Sequence, residues 1–278
     1  MSKFRYVLCG MMLINAYAQN ARAQDAGTES EATAADQSEQ AKLSLDDIES
    51  QIPKGFFIGG AAMSGSERFI SQDEGTQFFP GFVYIGDKFR YLGDRASYTF
   101  YKKNHVSFDL VGRYRFGNLS PDDSIYLAGM NERKGQVELG LGVNALTKVG
   151  LFSGKVSTDA SNRSKGSQAA ATWHIPYYRN NLLIMPSVGI SWYDSKTSNY
   201  YFGGVSVAES TLTRPAYDTG SNTSVNLMLT VAYRINPKWI VAGGVLQNRY
   251  SSGISNSPII ADDNEVNYFL AAAYHWQK

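Results

Sequence analysis

Residues Ser224 to Arg234 read S-V-N-L-M-L-T-V-A-Y-R. Val225, Leu227, Leu229, Val231 and Tyr233 fall on one face, and Ser224, Asn226, Met228, Thr230, Ala232 and Arg234 on the other. A period of two with one apolar and one mostly polar row is the pattern of a β-strand. Asn236-Pro237 punctuates it, and a second long alternating run follows from Lys238 to Tyr250. Strands this long, at roughly 3.3 Å per residue, suit a segment tilted across a bilayer.

Working outward, the same pattern recurs. In His105 to Phe116, Val106, Phe108, Leu110, Tyr114 and Phe116 share a face, against Ser107, Asp109, Arg113 and Arg115. Alternation and turn residues divide the chain into strands near 55–63, 76–86, 88–93, 95–102, 105–116, 133–143, 146–156, 166–175, 181–194, 220–235, 238–250 and 264–276. Their connections are ordered by length. Short ones are expected at Asp87, Lys103-Asn104, Asn144-Ala145, Pro176 to Asn180 and Asn236-Pro237, with long polar loops between them. Only Gly93-Asp94 breaks the rule. The expected fold is all-β: a transmembrane antiparallel β-barrel of about 12 strands, with short periplasmic turns and long extracellular loops.

Composition agrees: 26 Gly and 18 Tyr with 8 Pro and 1 Cys suit strands and turns. Lys3 and Arg5, an apolar run from Tyr6 to Ala18 and Ala21-Arg22-Ala23 form a signal peptide over 1–23, with Ala18 an alternative cleavage point. The only cysteine, Cys9, lies within it, so the exported chain offers no thiol chemistry and no Cys-bound metal. Gln24 to Ser50 carries eight acids against Lys42. The segment 24–53 is therefore expected to be an acidic, disordered periplasmic leader, with a tether or lumen-docking arm as the functional alternative. The barrel is expected over 54–278, in the cell outer membrane. Past residue 23 no apolar run is long enough for a membrane helix.

Charges on barrel strands cost a few kcal/mol when they face lipid near the midplane. Asp109, Arg113, Arg115, Asn226 and Arg234 are therefore expected to face the lumen. Trp173, Tyr177, Tyr178, Trp239, Tyr250 and Trp276 lie at strand ends, as interfacial girdles require. The loop Ser195 to Thr219 holds Tyr200, Tyr201, Phe202, Arg214, Tyr217 and Asp218. It is expected either to cap the barrel mouth or to fold inward as a constriction, with Tyr200, Tyr201, Arg214, Tyr217 and Asp218 as its key residues and Arg214 paired to Asp218.

Several stretches resemble the MipA/OmpV family of outer-membrane proteins. They are Asn199-Tyr-Tyr-Phe-Gly-Gly-Val-Ser206 with Ala208-Glu209, Arg214-Pro-Ala-Tyr-Asp-Thr-Gly-Ser-Asn222, the strand–turn–strand to Tyr250, Ser257-Pro-Ile-Ile260, and Gly129-Met130 before Arg133. The resemblance covers Gln51 to Trp276. It implies an outer-membrane barrel and, from the family's namesake, a scaffold that binds a lytic transglycosylase and a bifunctional penicillin-binding protein. The ending Trp276-Gln277-Lys278 departs from the terminal aromatic that commonly assists assembly of such barrels.

Catalytic candidates are few. His105, His174 and His275 are the only histidines, and a pairing of His275 with Asp109 or Ser107 lacks a motif. Asp262, Asp263, Asn264 and Glu265 lack the spacing of a calcium loop and read as a solvated loop. Gly140, Gly142, Gly243 and Gly244 read as strand glycines, not a phosphate cradle. The expectation is no enzyme, no metal, no cofactor and no nucleic acid. The expected partners are outer-membrane lipid and, as the resemblance implies, periplasmic murein-synthesis or lytic enzymes. A small-solute or ion channel is the alternative, and an outer-membrane hydrolase a further one.

Overall fold

The computed structural model describes residues 53–71 and 75–276, so the signal peptide and nearly all of the acidic segment lie outside the described residues. The wall is built from β1 (Gly55–Gly65), β2 (Gln77–Ile85), β3 (Phe89–Leu92), β4 (Arg95–Lys103), β5 (Val106–Arg115), β6 (Gln136–Thr147) and β7 (Gly150–Asp159). It continues with β8 (Ser167–His174), β9 (Tyr177–Arg179), β10 (Leu182–Tyr193), β11 (Asn222–Asn236), β12 (Trp239–Tyr250) and β13 (Asn264–Trp276). Sequential neighbours pair antiparallel, and β1 meets β13 from Phe56↔Trp276 to Gly65↔Asn267, which closes the sheet on itself. Both β8 and β9 pair with β10, so they are one wall strand interrupted at Ile175-Pro176. The result is a closed antiparallel barrel of twelve wall strands.

Two turns differ from the sequence reading. Asn144-Ala145 lies inside β6, and the reversal falls at Lys148-Val149, before Gly150 with φ +129°. Asn144 looks like a turn residue but donates to Asp109 Oδ2 at 2.8 Å, an inward contact that keeps the strand going. The strand pair beyond Pro176 likewise resumes, so the turn is Asn180-Asn181, with Asn180 at φ 52°.

Inward and outward rows alternate throughout. On β1, Phe57 and Met63 are buried while Phe56 and Ile58 are exposed; on β11, Ser224, Thr230 and Ala232 are buried while Val225, Leu227 and Leu229 are exposed. Exposed apolar residues facing outward are what a lipid-facing wall requires. Glycine lets the wall close where strands crowd: a Cβ on Gly59 would lie 2.0 Å from the Ala272 carbonyl oxygen. Aromatics ring the short-turn end, where Phe152 stacks on Trp173 and Trp239 meets Tyr274 edge-on. Two of the expected girdle residues belong elsewhere. Tyr250 is buried inside the long-loop end and Tyr178 packs inward.

Two apolar clusters occupy the interior. The first combines Phe57, Val83, Ile85, Leu92, Leu183, Met185, Ala232, Ile240 and Phe269 with neighbours, drawn from β10 round to β3. It lines the short-turn half of the lumen along that arc. The second lies at the long-loop end and is built from loops, as described next.

Candidate functional site

The inward row from β4 to β8 is polar. Asp109, on β5, accepts from Thr99 Oγ1 at 2.6 Å and from Asn144, and pairs with Arg90 at 3.3 Å. One step toward the long-loop end, Arg115 Nε donates to Glu138 Oε1 at 2.6 Å, and Gln136 and Gln168 donate to the same carboxylate at 2.9 and 2.6 Å. Arg113 lies 3.4 Å from Asp94 and 3.9 Å from Glu138. Asp94 sits at the β3–β4 hairpin and also meets Arg95 at 3.3 Å. Across the lumen, Asn226 bridges Ser191 at 2.9 Å and Asn248 at 2.7 Å. Arg234 occupies the same row of β11 at the short-turn rim. Glu138 and Lys155 carry the same signal as Asp109 and Arg113, a charge on one row of an otherwise apolar strand.

Over this chamber the long loops form a folded cap. Its apolar part joins Phe69, Leu119, Leu127, Met130, Tyr201, Phe202, Val205, Ile254 and Ile259 with Tyr193 and Tyr250 from the strand ends. Tyr201 is 1% exposed, its hydroxyl donates to Lys134 O at 2.9 Å, and Asn118 Nδ2 donates to its carbonyl at 2.6 Å. The Arg115 guanidinium lies 5.0 Å from the Tyr201 ring and so ties the cap to the wall. Tyr200 accepts from Lys134 N–H at 3.0 Å, and Tyr217 donates to Gly253 O at 3.1 Å.

Arg214 and Asp218 do not pair. The Arg214 guanidinium is buried and donates to the carbonyls of Glu209 at 2.8 Å, Ala128 at 3.1 Å and Tyr126. Asp218 instead accepts from Asn199 Nδ2 at 2.7 Å and Gly220 N–H at 2.9 Å. Backbone carbonyls captured the arginine because the folded loop leaves them without water, and a multidentate cation satisfies several at once.

Two long-range ion pairs hold the cap. Arg133 grips Glu209 through two hydrogen bonds of 2.8 and 2.9 Å, with Asn131 and Ser206 N–H groups completing the carboxylate's shell at 2.8 and 3.0 Å. Burial pushes the Glu209 carboxyl up, but Arg133 and these donors outweigh it and hold its pKa at about 2. Arg68 grips Glu265 at 2.8 and 2.9 Å, and Tyr250 OH donates to the same carboxylate. Glu265 is thus a buried ion-pair partner and not part of a solvated loop. No group of three or more His, Cys, Asp or Glu suited to a metal occurs among the described residues.

The histidines are dispersed. His275 stacks on Phe57 with ring centroids 4.4 Å apart and shares a hydrogen bond with Lys54 O at 3.0 Å, remote from the bonded partners of Asp109 and Ser107. His174 lies between Ser153 and Ser187 at 3.2 and 2.8 Å. Among the described residues, no carboxylate is a hydrogen-bonding partner of the His174 ring.

The family model described as MltA-interacting protein MipA matches residues 58–276, the span of the barrel and its cap. The chain belongs to this family. It is 28% identical over 218 residues to outer membrane protein OmpV of Vibrio cholerae, covering 77% of this chain and 84% of that protein. It is 24% identical over 194 residues to the MltA-interacting protein of Escherichia coli, covering 68% and 78%. Among solved structures, the NanC porin aligns at 9% identity and a TM-score of 0.39, over 80% of this chain and 100% of that one. The protein is an outer-membrane β-barrel of MipA/OmpV type.

Proposed function

We propose that this barrel is a non-enzymatic scaffold of cell-envelope and murein maintenance, which offers its short-turn rim to a periplasmic murein enzyme. The observation that carries the reading is the way the interior is built. An apolar cluster lines the short-turn half along β10 to β3, and a hydrogen-bonded cap lies over the other end. Such an interior favours a persistent structure over a passage for solute. The rim supports a protein contact: Lys54, Lys88, Lys103, Lys148, Arg179 and Lys238 are all exposed there, with Asp87 as the acid in the same turns. That basic ring suits an acidic partner surface through steering and charge complementarity. A relative carrying the name MltA-interacting protein supports the partner class.

Detergent extracts containing a lytic transglycosylase test the reading by pull-down. The barrel is expected to retain the enzyme, and the combined change Lys88→Glu, Lys103→Glu, Lys148→Glu and Lys238→Glu to release it at unchanged barrel folding. Equal retention by the charge-reversed barrel would remove the rim from the account. The polar lining by Asp109, Arg113 and Arg115 favours a second reading, a small-solute or ion channel; conductance decides between them.

A further inference from the structure

The wall has a window. β3 has only four residues and pairs with β2 only from Val83↔Leu92 to Ile85↔Arg90, while β4 meets β5 first at Arg95↔Arg113. Between Gln77–Phe82 of β2 and Tyr114–Arg115 of β5 no strand intervenes, a gap of three strand spacings, on the order of 14 Å. The β3–β4 hairpin forms its sill, with Asp94 O accepting from Tyr114 N–H at 2.7 Å. The long loops bridge above it, where Ser124 Oγ donates to Ile70 O at 3.3 Å.

An open strand edge does not face hydrocarbon, because its N–H and C=O groups would go unsatisfied; it lines water or a polar ligand. Pro80 on that edge removes one donor. Outside, Phe78 is 78% exposed, and a furrow of about 1310 Å³ runs beside Phe56, Ile58, Pro80 and Phe82.

Inside the sill the hairpin and the inward rows of β3 to β7 carry Arg90, Arg95, Arg113, Arg115 and Lys155 against Asp94, Asp109, Glu138 and Asp159, one cation more than carboxylates. Arg113 Nε is buried without a hydrogen-bond acceptor. Lys155 points inward from β7 between Gly142 and Ala170 of the flanking strands, and has neither a hydrogen bond nor an ion pair among the described residues. Those small neighbours leave room around its ammonium. A desolvated cation cluster of this kind is stabilised by an anion.

We propose that the window gives lateral access to an anionic amphiphile, whose phosphate or carboxylate head docks on Arg95, Arg113 and Lys155 while its apolar tail lies outside along Pro80 and Phe82. The site is independent of any axial pore and of the periplasmic partner.

The test uses the full chain refolded in neutral detergent and titrated with a C12 alkyl phosphate, inorganic phosphate, or a C12 maltoside, read by phosphorus NMR line width and by the thermal midpoint. The alkyl phosphate is expected to bind saturably and at least about 10-fold tighter than inorganic phosphate, and the maltoside to leave the thermal midpoint unchanged. Lys155→Gln, which removes an unpaired, half-buried charge and so spares folding, is expected to weaken the alkyl phosphate by about 10-fold or more. Ala170→Asp, which sets an internal carboxylate beside Lys155, is expected to do the same, with the heat-sensitive gel shift of a folded barrel kept in both. Unchanged binding in both variants, or no saturable binding by the wild type, would overturn the site. Inorganic phosphate binding as tightly as the alkyl phosphate would overturn lateral access and leave a site for a soluble anion.

Discussion

The two halves of the lumen are built in two different ways. The short-turn half is lined, from β10 round to β3, by apolar side chains that the strands deliver in alternate positions, such as Phe57, Leu183 and Met185. The long-loop half is covered by segments far apart in sequence, locked by Arg133–Glu209, by Arg68–Glu265 and by Arg214 on three carbonyls. One closure is a property of the barrel itself; the other is a small folded structure resting on it. They should therefore fail separately, and under different conditions.

The largest effect is expected from Glu209→Ala. It leaves Arg133 buried without its carboxylate, and losing one partner of a buried pair costs roughly 3–5 kcal/mol. Hydrogen exchange should accelerate across 194–221 and 116–135, while the gel mobility of the folded barrel stays that of the wild type. If the whole barrel unfolded instead, the two closures would be one cooperative unit. Met185→Ala acts on the other side of the comparison. It should lower barrel stability by about 2–5 kcal/mol in urea titrations and leave cap exchange rates near wild type.

Acid sharpens the contrast more gently. Glu209 is held at about 2 against an ordinary 4.5, so its folded form binds fewer protons than its unfolded form. Its contribution to the cap is complete above pH 4.5 and fades as pH falls toward 2. Cap proteolysis should rise across that window in the wild type. The part owed to this residue should vanish in Glu209→Gln, whose cap is weaker at every pH.

Much of the barrel was legible because a strand repeats every two residues and a membrane punishes charge on the wrong row. That rule set Asp109, Arg113 and Arg115 apart from their strand neighbours, and loop length set the two rims apart. The same logic misplaced the β6–β7 turn, since Asn144 resembles a turn residue until its partner Asp109 is known. The cap was legible only as a long aromatic loop. Arg133 and Glu209 are 76 residues apart, and Arg214 binds carbonyls that no side-chain pattern encodes. The short β3–β4 hairpin did stand out, as the one break in loop parity at Gly93-Asp94. Its meaning as a window needed the pairing on both sides.

Planar-bilayer conductance of the refolded barrel tests the central claim, that the axial lumen is closed at both ends. Protein that passes the heat-sensitive gel shift should insert and stay silent. Discrete, reproducible steps from that folded protein, altered by Arg113→Gln or Arg115→Gln, would contradict the closed lumen and make this barrel a channel.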